Sequence, residues 1–319
     1  MRIVFFGTPA PAVPSLQALL DAADVEVAAV VTNPDRPAGR GRRLTPPPVK
    51  TLAAEAGVPV WQPQRPRELL DDLRALQADA CAVVAYGALL PQDVLDVGGA
   101  GFVNLHFSLL PRWRGAAPVQ HSVLAGDREV GVTCFVLEAG MDTGPVLLRQ
   151  ETALGERETA GELMGRLAGA GAPLLLRAVR GLVDGSLQPE PQDHPAATYA
   201  PKVEPAQARL DWAASDVTID RAVRAFNPVP GAHTTFGGQR LKVHRVRRTE
   251  LPEPGNAGAA EPGTVVGRQD GLPLVRCGQG AVLLEEVQPA GKPRMSGGDF
   301  LNGYRPEGAV LSAPPEASA

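Results

Sequence analysis

The first 150 residues alternate short apolar runs with amphipathic segments, and no other feature restricts the possible folds as tightly. "RIVFFG" (Arg2–Gly7), "VEVAAVV" (Val25–Val31), "ACAVVAYG" (Ala80–Gly87), "GFVNLHF" (Gly101–Phe107) and "GVTCFVLE" (Gly131–Glu138) read as strands. The first three are apolar almost without interruption, as strands of a parallel sheet buried on both faces must be. Between the strands, "VPSLQALLDAA", "VKTLAAEAG", "RELLDDLRALQ" and "APVQHSVLAG" carry helical spacing. This order specifies an α/β fold: a Rossmann-like, doubly wound, mostly parallel sheet whose ligands sit at the carboxyl ends of its strands.

A helix from about Thr159 to Val183 closes this first domain, taken as residues 1–188. Residues 189–208 are rich in proline and lack periodicity, and read as a surface linker. A helix near Val217–Ala225 follows, then short alternating runs broken by Gly and Pro over 209–312, the pattern of a smaller β-barrel of OB-like type. Residues 313–319 are a tail.

Bulk properties exclude several classes. Three widely separated cysteines (Cys81, Cys134, Cys277) give neither a disulfide framework nor a zinc site, so no metal is expected. "MRIVFFGTPAP" lacks a secretory core and cleavage site, and no apolar run nears the ~20 residues of a membrane span. A cytoplasmic, membrane-free protein is expected. The turn after the first strand is "GTPAP", not G-x-G-x-x-G, and no G-x-x-x-x-G-K-[ST] occurs, so neither a dinucleotide nor an ordinary P-loop is supported. The net charge of −4 conceals local basic clusters, which suit a polyanion held at defined places.

Three places carry possible chemistry. Asn104 and His106 stand two apart at the end of a strand, so their side chains share a face at a carboxyl edge. A lone histidine there is more often structural than catalytic. The neighbouring Asn104 and the loop "GMDTG", with Asp142, tip the balance toward chemistry, although Asp142 taken alone reads as a turn aspartate. An amide donor, an acid–base imidazole and a carboxylate to orient it suit a tetrahedral, oxyanion-bearing intermediate, and no activated Ser or Cys motif points to covalent catalysis. Second, "NPDRPAGRGRRLTPPPVK" holds Arg36, Arg40, Arg42, Arg43 and Lys50 against one acid, Asp35, on a Gly/Pro frame that forbids regular structure. Such a run is commonly just solvated; its length inside a compact domain favours contact with phosphates. Third, "RLKVHRVRR" (Arg240–Arg248) puts Arg240, Lys242, His244 and Val246 on one face by alternation and Arg245 and Arg247 on the other, fitting either a charged edge strand or a nucleic-acid surface.

"FFGTP", "PDRPAGRG", "VVAYG", "NLHFSLLPRWRGAAPVQ", "GMDTG", "RAFNPVPGA" and "VQPAGK" occur in an order that resembles the 10-formyltetrahydrofolate-dependent transformylase family over the full length, and within it the methionyl-tRNA formyltransferases. Phe107 departs from the more common Gly or Pro. The resemblance implies direct formyl transfer from 10-formyltetrahydrofolate to the α-amino group of initiator methionyl-tRNA, with Asn104, His106 and Asp142 catalytic. It implies a folate crevice between the fourth and fifth strands, lined by Ser108, Leu109, Leu110 and Pro111, with Val84, Ala85, Tyr86 and Gly87 as the opposing wall. It implies tRNA contact through the basic loop, Arg40 foremost, and through Arg240, Lys242, Arg245 and Arg247. Tetrahydrofolate and the tRNA would be the partners, with no DNA, and a monomer is expected. A formyl transferase acting on a small amine, a formyltetrahydrofolate hydrolase or dehydrogenase module, and a non-catalytic RNA binder on the same fold are the rivals. The first would not need the basic loop, and the last would not need all three polar residues.

Overall fold

The computed structural model describes residues 1–38, 43–251 and 260–312. The first part runs β1 Arg2–Gly7, α1 Val13–Leu20, β2 Glu26–Val31, a hairpin of β3 Arg36–Ala38 and β4 Arg43–Thr45, α2 Pro48–Glu55, β5 Val60–Trp61, α3 Leu70–Leu76, β6 Ala80–Val84, α4 Gln92–Leu95, β7 Phe102–His106, α5 Pro118–Ala125, β8 Glu129–Val136, β9 Val146–Ala153 and α6 Ala160–Val183. Seven strands make one sheet in the order β5-β2-β1-β6-β7-β8-β9. The first five in that order are parallel. The continuous apolar runs of β1 and β6 are buried, with Val4, Phe6, Cys81 and Val83 in one cluster with Leu73, Val94 and Phe102.

The basic stretch, whose Gly/Pro frame was expected to exclude regular structure, carries a short antiparallel pair, Arg36 opposite Thr45; Pro37 is tolerated because a two-stranded ribbon leaves one side of each strand unpaired. Two strands of the main sheet also depart from the alternation read in the sequence. β8 pairs antiparallel with β7, Val103 opposite Val136 and His106 opposite Thr133. β9, an additional strand, pairs antiparallel with β8 at the sheet edge. Its Arg149, Gln150 and Glu151 are exposed. An edge strand that shows one side to water has no need of the apolar run that marks a central one.

The described residues divide into two compact units: Met1–Pro118, Arg128–Ala153 and Met164–Pro201, then Val119–Asp127, Leu154–Leu163 and the chain from Lys202. The proline-rich segment 189–208 is therefore split at Pro201. Its first part is tied into the first unit, where Gln192 and Ala200 are buried.

The second unit contains α7 Asp216–Ala225, β10 His233–Phe236, β11 Gln239–Thr249, β12 Val265–Gln269, β13 Leu272–Arg276, β14 Ala281–Pro289, β15 Met295–Ser296 and α8 Gly297–Tyr304. α7 starts where the Ser215 hydroxyl accepts from the Thr218 N–H at 3.2 Å, a serine N-cap. The antiparallel sheet runs β10-β11-β14-β13-β12, with β15 beside β14. Bridges from Thr264 to Val310 and from Thr235 to Ser312 let the C-terminal segment close it into a barrel. Trp212, Ile219, Val223, Leu241, Val243, Val246 and Phe300 fill its core. In β11 the inward residues step by three, from Val243 to Val246, because the ladder is irregular there: Val243, Arg245 and Val246 face Val287, Glu286 and Leu284. This corrects simple alternation. Arg240, Lys242, Arg245 and Arg247 all lie away from that core, and Val246 points into it.

Candidate active site

Asn104 and His106 stand at the carboxyl end of β7, where the strand period gives them a common face. Asn104 is half-buried and His106 is 6% exposed. His106 Nε2 lies 2.8 Å from the Trp113 carbonyl oxygen. A carbonyl only accepts, so Nε2 carries the hydrogen and Nδ1 is the nitrogen left for proton exchange. Nδ1 is 3.7 Å from Asp142 Oδ2.

Asp142 arrives by an indirect route. Because β8 runs against β7, its last residues lie beside the start of β7, and the Leu137 N–H donates to the Phe102 carbonyl at 2.7 Å. The loop before β9 must travel back along the sheet to reach His106. Asp142 sits there with φ 51°, in the left-handed region, and accepts from the Gly115 N–H at 2.7 Å. Gly115 itself has φ 118°, and a Cβ on it would stand 2.8 Å from the Ala200 carbonyl, so glycine is required.

Several residues outside the sequence-derived set hold this arrangement. Arg114, 2% exposed, donates from Nε and Nη2 to Gln192 Oε1 at 3.2 and 2.7 Å, and its Nη2 is 3.0 Å from His194 Nδ1. Gln192 Nε2 donates to the Asp142 and Gly144 carbonyls at 2.9 and 2.7 Å. The Trp113 N–H donates to Thr198 Oγ1 at 2.9 Å. No periodicity announces such bonds; the nearest sequence signal is an arginine in a loop beside the candidate histidine.

The turns after β6 and β7, neighbouring parallel strands, carry the candidate folate walls. After Val84 the chain turns through Ala85 (φ 46°) and Gly87 (φ 81°), both exposed, while Tyr86 is buried. Burial raises the Tyr86 phenol above its ordinary pKa, and its ring meets Phe6 edge-on at 5.4 Å. The Tyr86 carbonyl already accepts from Thr8 Oγ1 at 3.0 Å and Asn33 Nδ2 at 2.9 Å, which explains the threonine of "FFGTP". In the other turn, Ser108 Oγ donates to the Arg112 carbonyl at 2.6 Å. Thr133 Oγ1 donates to the Ser108 carbonyl at 2.7 Å and accepts from the Leu110 N–H at 3.1 Å. Leu110 is buried, Leu109 and Pro111 are half-buried, and the Leu110–Pro111 bond is cis. Cys134 faces Leu105 in the ladder, and burial pushes its thiol well above the ordinary range, which removes a thiolate nucleophile from this neighbourhood.

Among the basic candidates, Arg36 is exposed in β3, and Arg40 and Arg42 lie outside the described residues. Arg43 begins β4. Lys50 is engaged: its Nζ lies 2.8 Å from both Asp35 oxygens and from Gln62 Oε1, and Gln62 Nε2 donates to Asp35 Oδ1 and the Asn33 carbonyl, each at 2.8 Å. The Lys50 and Gln62 bonds hold the Asp35 carboxyl below its ordinary pKa. This cluster closes the base of the hairpin. In the second unit, Arg245 pairs with Glu162, and Arg247 lies 2.8 Å from Asp270 and 3.4 Å from Glu285. Arg240 Nη2 is 3.0 Å from His233 Nδ1. Among the described residues, no His/Cys/Asp/Glu group has the arrangement of a metal site.

Residues 1–179 match the formyl transferase family and residues 202–305 its C-terminal domain. The methionyl-tRNA formyltransferase of Frankia alni is 47% identical over 319 residues, covering 99% of this chain and 96% of that protein. That of Thermobifida fusca is 49% identical over 307 residues, covering 96% and 97%. Among solved structures, a multiply substituted HypX from Aquifex aeolicus matches with a TM-score of 0.66 at 18% identity, a likeness of fold. That match covers all of this chain, which spans half the length of that protein. A Rossmann-like sheet followed in sequence by an antiparallel barrel agrees with these matches, and the chain belongs to the formyl transferase family, as a one-carbon transferase with the two-domain make-up of the methionyl-tRNA formyltransferases.

Proposed function

We propose that this enzyme moves the formyl group of 10-formyltetrahydrofolate to the α-amino group of initiator methionyl-tRNA. The observation that carries the reading is the approach of Asp142 Oδ2 to His106 Nδ1, beside Asn104, in a chain matched along nearly its whole length by proteins of that name. The amine nitrogen attacks the formyl carbon, and the carbonyl oxygen takes up negative charge. The Asn104 amide and a protonated His106 Nδ1 donate to it. Asp142 receives the proton the amine loses, the carbon–N10 bond breaks, and N10 leaves with a proton returned from the His106–Asp142 pair. No covalent enzyme intermediate is needed.

The folate lies against the turns Val84–Gly87 and Ser108–Pro111. Because β6 and β7 run the same way, their turns emerge side by side, which favours a crevice between these two strands over one between β7 and β8, the fourth and fifth strands of the sequence reading. The basic segment that carries Arg36, Arg40, Arg42 and Arg43 meets the tRNA acceptor end, with Lys50 bound to Asp35 instead of touching phosphate. Arg240 and Lys242 are the barrel's leading phosphate contacts, with Arg245 and Arg247 partly neutralised by their carboxylates.

The test supplies 10-formyltetrahydrofolate with methionyl-tRNA and, in parallel, with small amines such as aminosugar nucleotides. Formylmethionyl-tRNA is expected, and turnover of small amines alone would refute the reading. His106→Ala and Asn104→Ala are each expected to lower kcat about 10²–10³-fold with the fold intact. Near-parental turnover by either would remove that residue from the chemistry.

A further inference from the structure

The segment 192–200 holds both halves of the acid–base pair. At one end, Thr198 Oγ1 accepts from the N–H of Trp113, whose carbonyl receives His106 Nε2–H. At the other, Gln192 Nε2 bridges the Asp142 and Gly144 carbonyls. Gln192 is 5% exposed, and its amide oxygen is fixed by two donors of the buried Arg114. All four hydrogen-bonding valences of the Gln192 amide have internal partners, so Gln192 is oriented without ambiguity: oxygen to the guanidinium, nitrogen to the loop. The loop needs such a tie. Asp142 has a positive φ, a left-handed conformation that aspartate tolerates better than most residues but that takes the backbone out of any ladder bond that would hold it in place. Next to it, a Cβ on Gly144 would stand 1.8 Å from the Val136 carbonyl, so the loop is pressed against β8.

We propose that Gln192, oriented by Arg114, is a positioning residue for formyl transfer: it sets the Asp142 carboxylate opposite His106. The inference rests on the reading of the His106–Asp142 pair given above. Its discriminating variant is Gln192→Glu. A glutamate keeps an acceptor for Arg114, and adds a charge that strengthens that contact, so the unit folds. It also replaces the two donors to the loop with an oxygen that repels the Asp142 and Gly144 carbonyls. Gln192→Met, similar in volume and without donors, serves if the glutamate variant does not fold.

With the intact chain, kcat for methionyl-tRNA is expected to fall about 10²-fold, the loss associated with roughly 1 Å of misplacement, while KM for both substrates stays within about threefold. Ile219→Val, a core substitution in the other unit, controls for general destabilisation and is expected to keep parental kcat. A second measurement does not depend on turnover. In chains with ¹⁵N-labelled histidine, the His106 ring resonances, assigned by their loss in His106→Asn, are followed against pH. Gln192→Glu is expected to displace that titration relative to the parent, and the control is not. A parental titration together with kcat within threefold of parent would overturn the positioning role. A displaced titration in a chain that does not formylate methionyl-tRNA would uphold the positioning and discard the proposed substrate.

Discussion

At the scale of single residues, the strand period is what made Asn104 and His106 readable: two positions apart means one face, and a carboxyl edge means a ligand. Asp142 was readable only as a member of a loop able to reach them. For Arg114, Gln192 and Thr198 the sequence offered no more than an arginine in the loop after the histidine, because a hydrogen bond between residues 50 to 85 positions apart has no period to detect. Thr133 belongs to the same hidden group. It is fully buried, and its hydroxyl serves both the Ser108 carbonyl and the Leu110 N–H. Thr133→Val preserves shape and strands both groups, so it is expected to cost about 1–3 kcal/mol, read as a lower urea midpoint with unchanged slope. An unaltered midpoint would mean that water takes over the hydroxyl's role.

Elements were readable to the extent that burial is two-sided. The central parallel strands declared themselves by unbroken apolar runs, whereas β9 did not, because an edge strand is half solvated. The direction of β8 was also hidden: strand direction is decided by where the chain can return, not by composition. In β11 alternation failed for a local reason, the irregular ladder between Val243 and Val246, which turns four basic residues to one side. Those four are unequal. Arg247 is opposed by Asp270 and Glu285, while Lys242 has no carboxylate within salt-bridge distance among the described residues. Lys242→Ala is therefore expected to reduce the slope of log tRNA affinity against log salt by about 0.7–0.9, the value for one lost phosphate contact, and Arg247→Ala by less. Equal reductions would show that the carboxylates release Arg247 on binding.

For the whole molecule, composition and the change of pattern after α6 were enough to read two domains, but the compact units are not successive stretches of sequence. Residues 119–127 and 154–163 belong to the second unit. They bring Leu124 to its core, the Glu162 partner of Arg245, and the Gly161 N–H that donates to the Asn227 carbonyl at 3.0 Å. A fragment of residues 202–312 lacks all of these. Its thermal midpoint is expected to fall below that of the second unit in the intact chain, by about 4–8 °C for each kcal/mol lost in a domain of this size. A fragment that melts where the intact chain does would show that the two inserted segments contribute nothing. The bond from Gln192 to the Asp142 loop has a bearing on recombination. A chimaera joined at the end of α6, the natural seam by sequence, would inherit Asn104, His106 and Asp142 from one parent and the residues that seat them from another. Crossovers between divergent relatives are expected to keep the acid–base pair seated when placed after Pro201 and to unseat it between Val183 and Ala200, so the heritable catalytic module ends some 18 residues beyond its last helix.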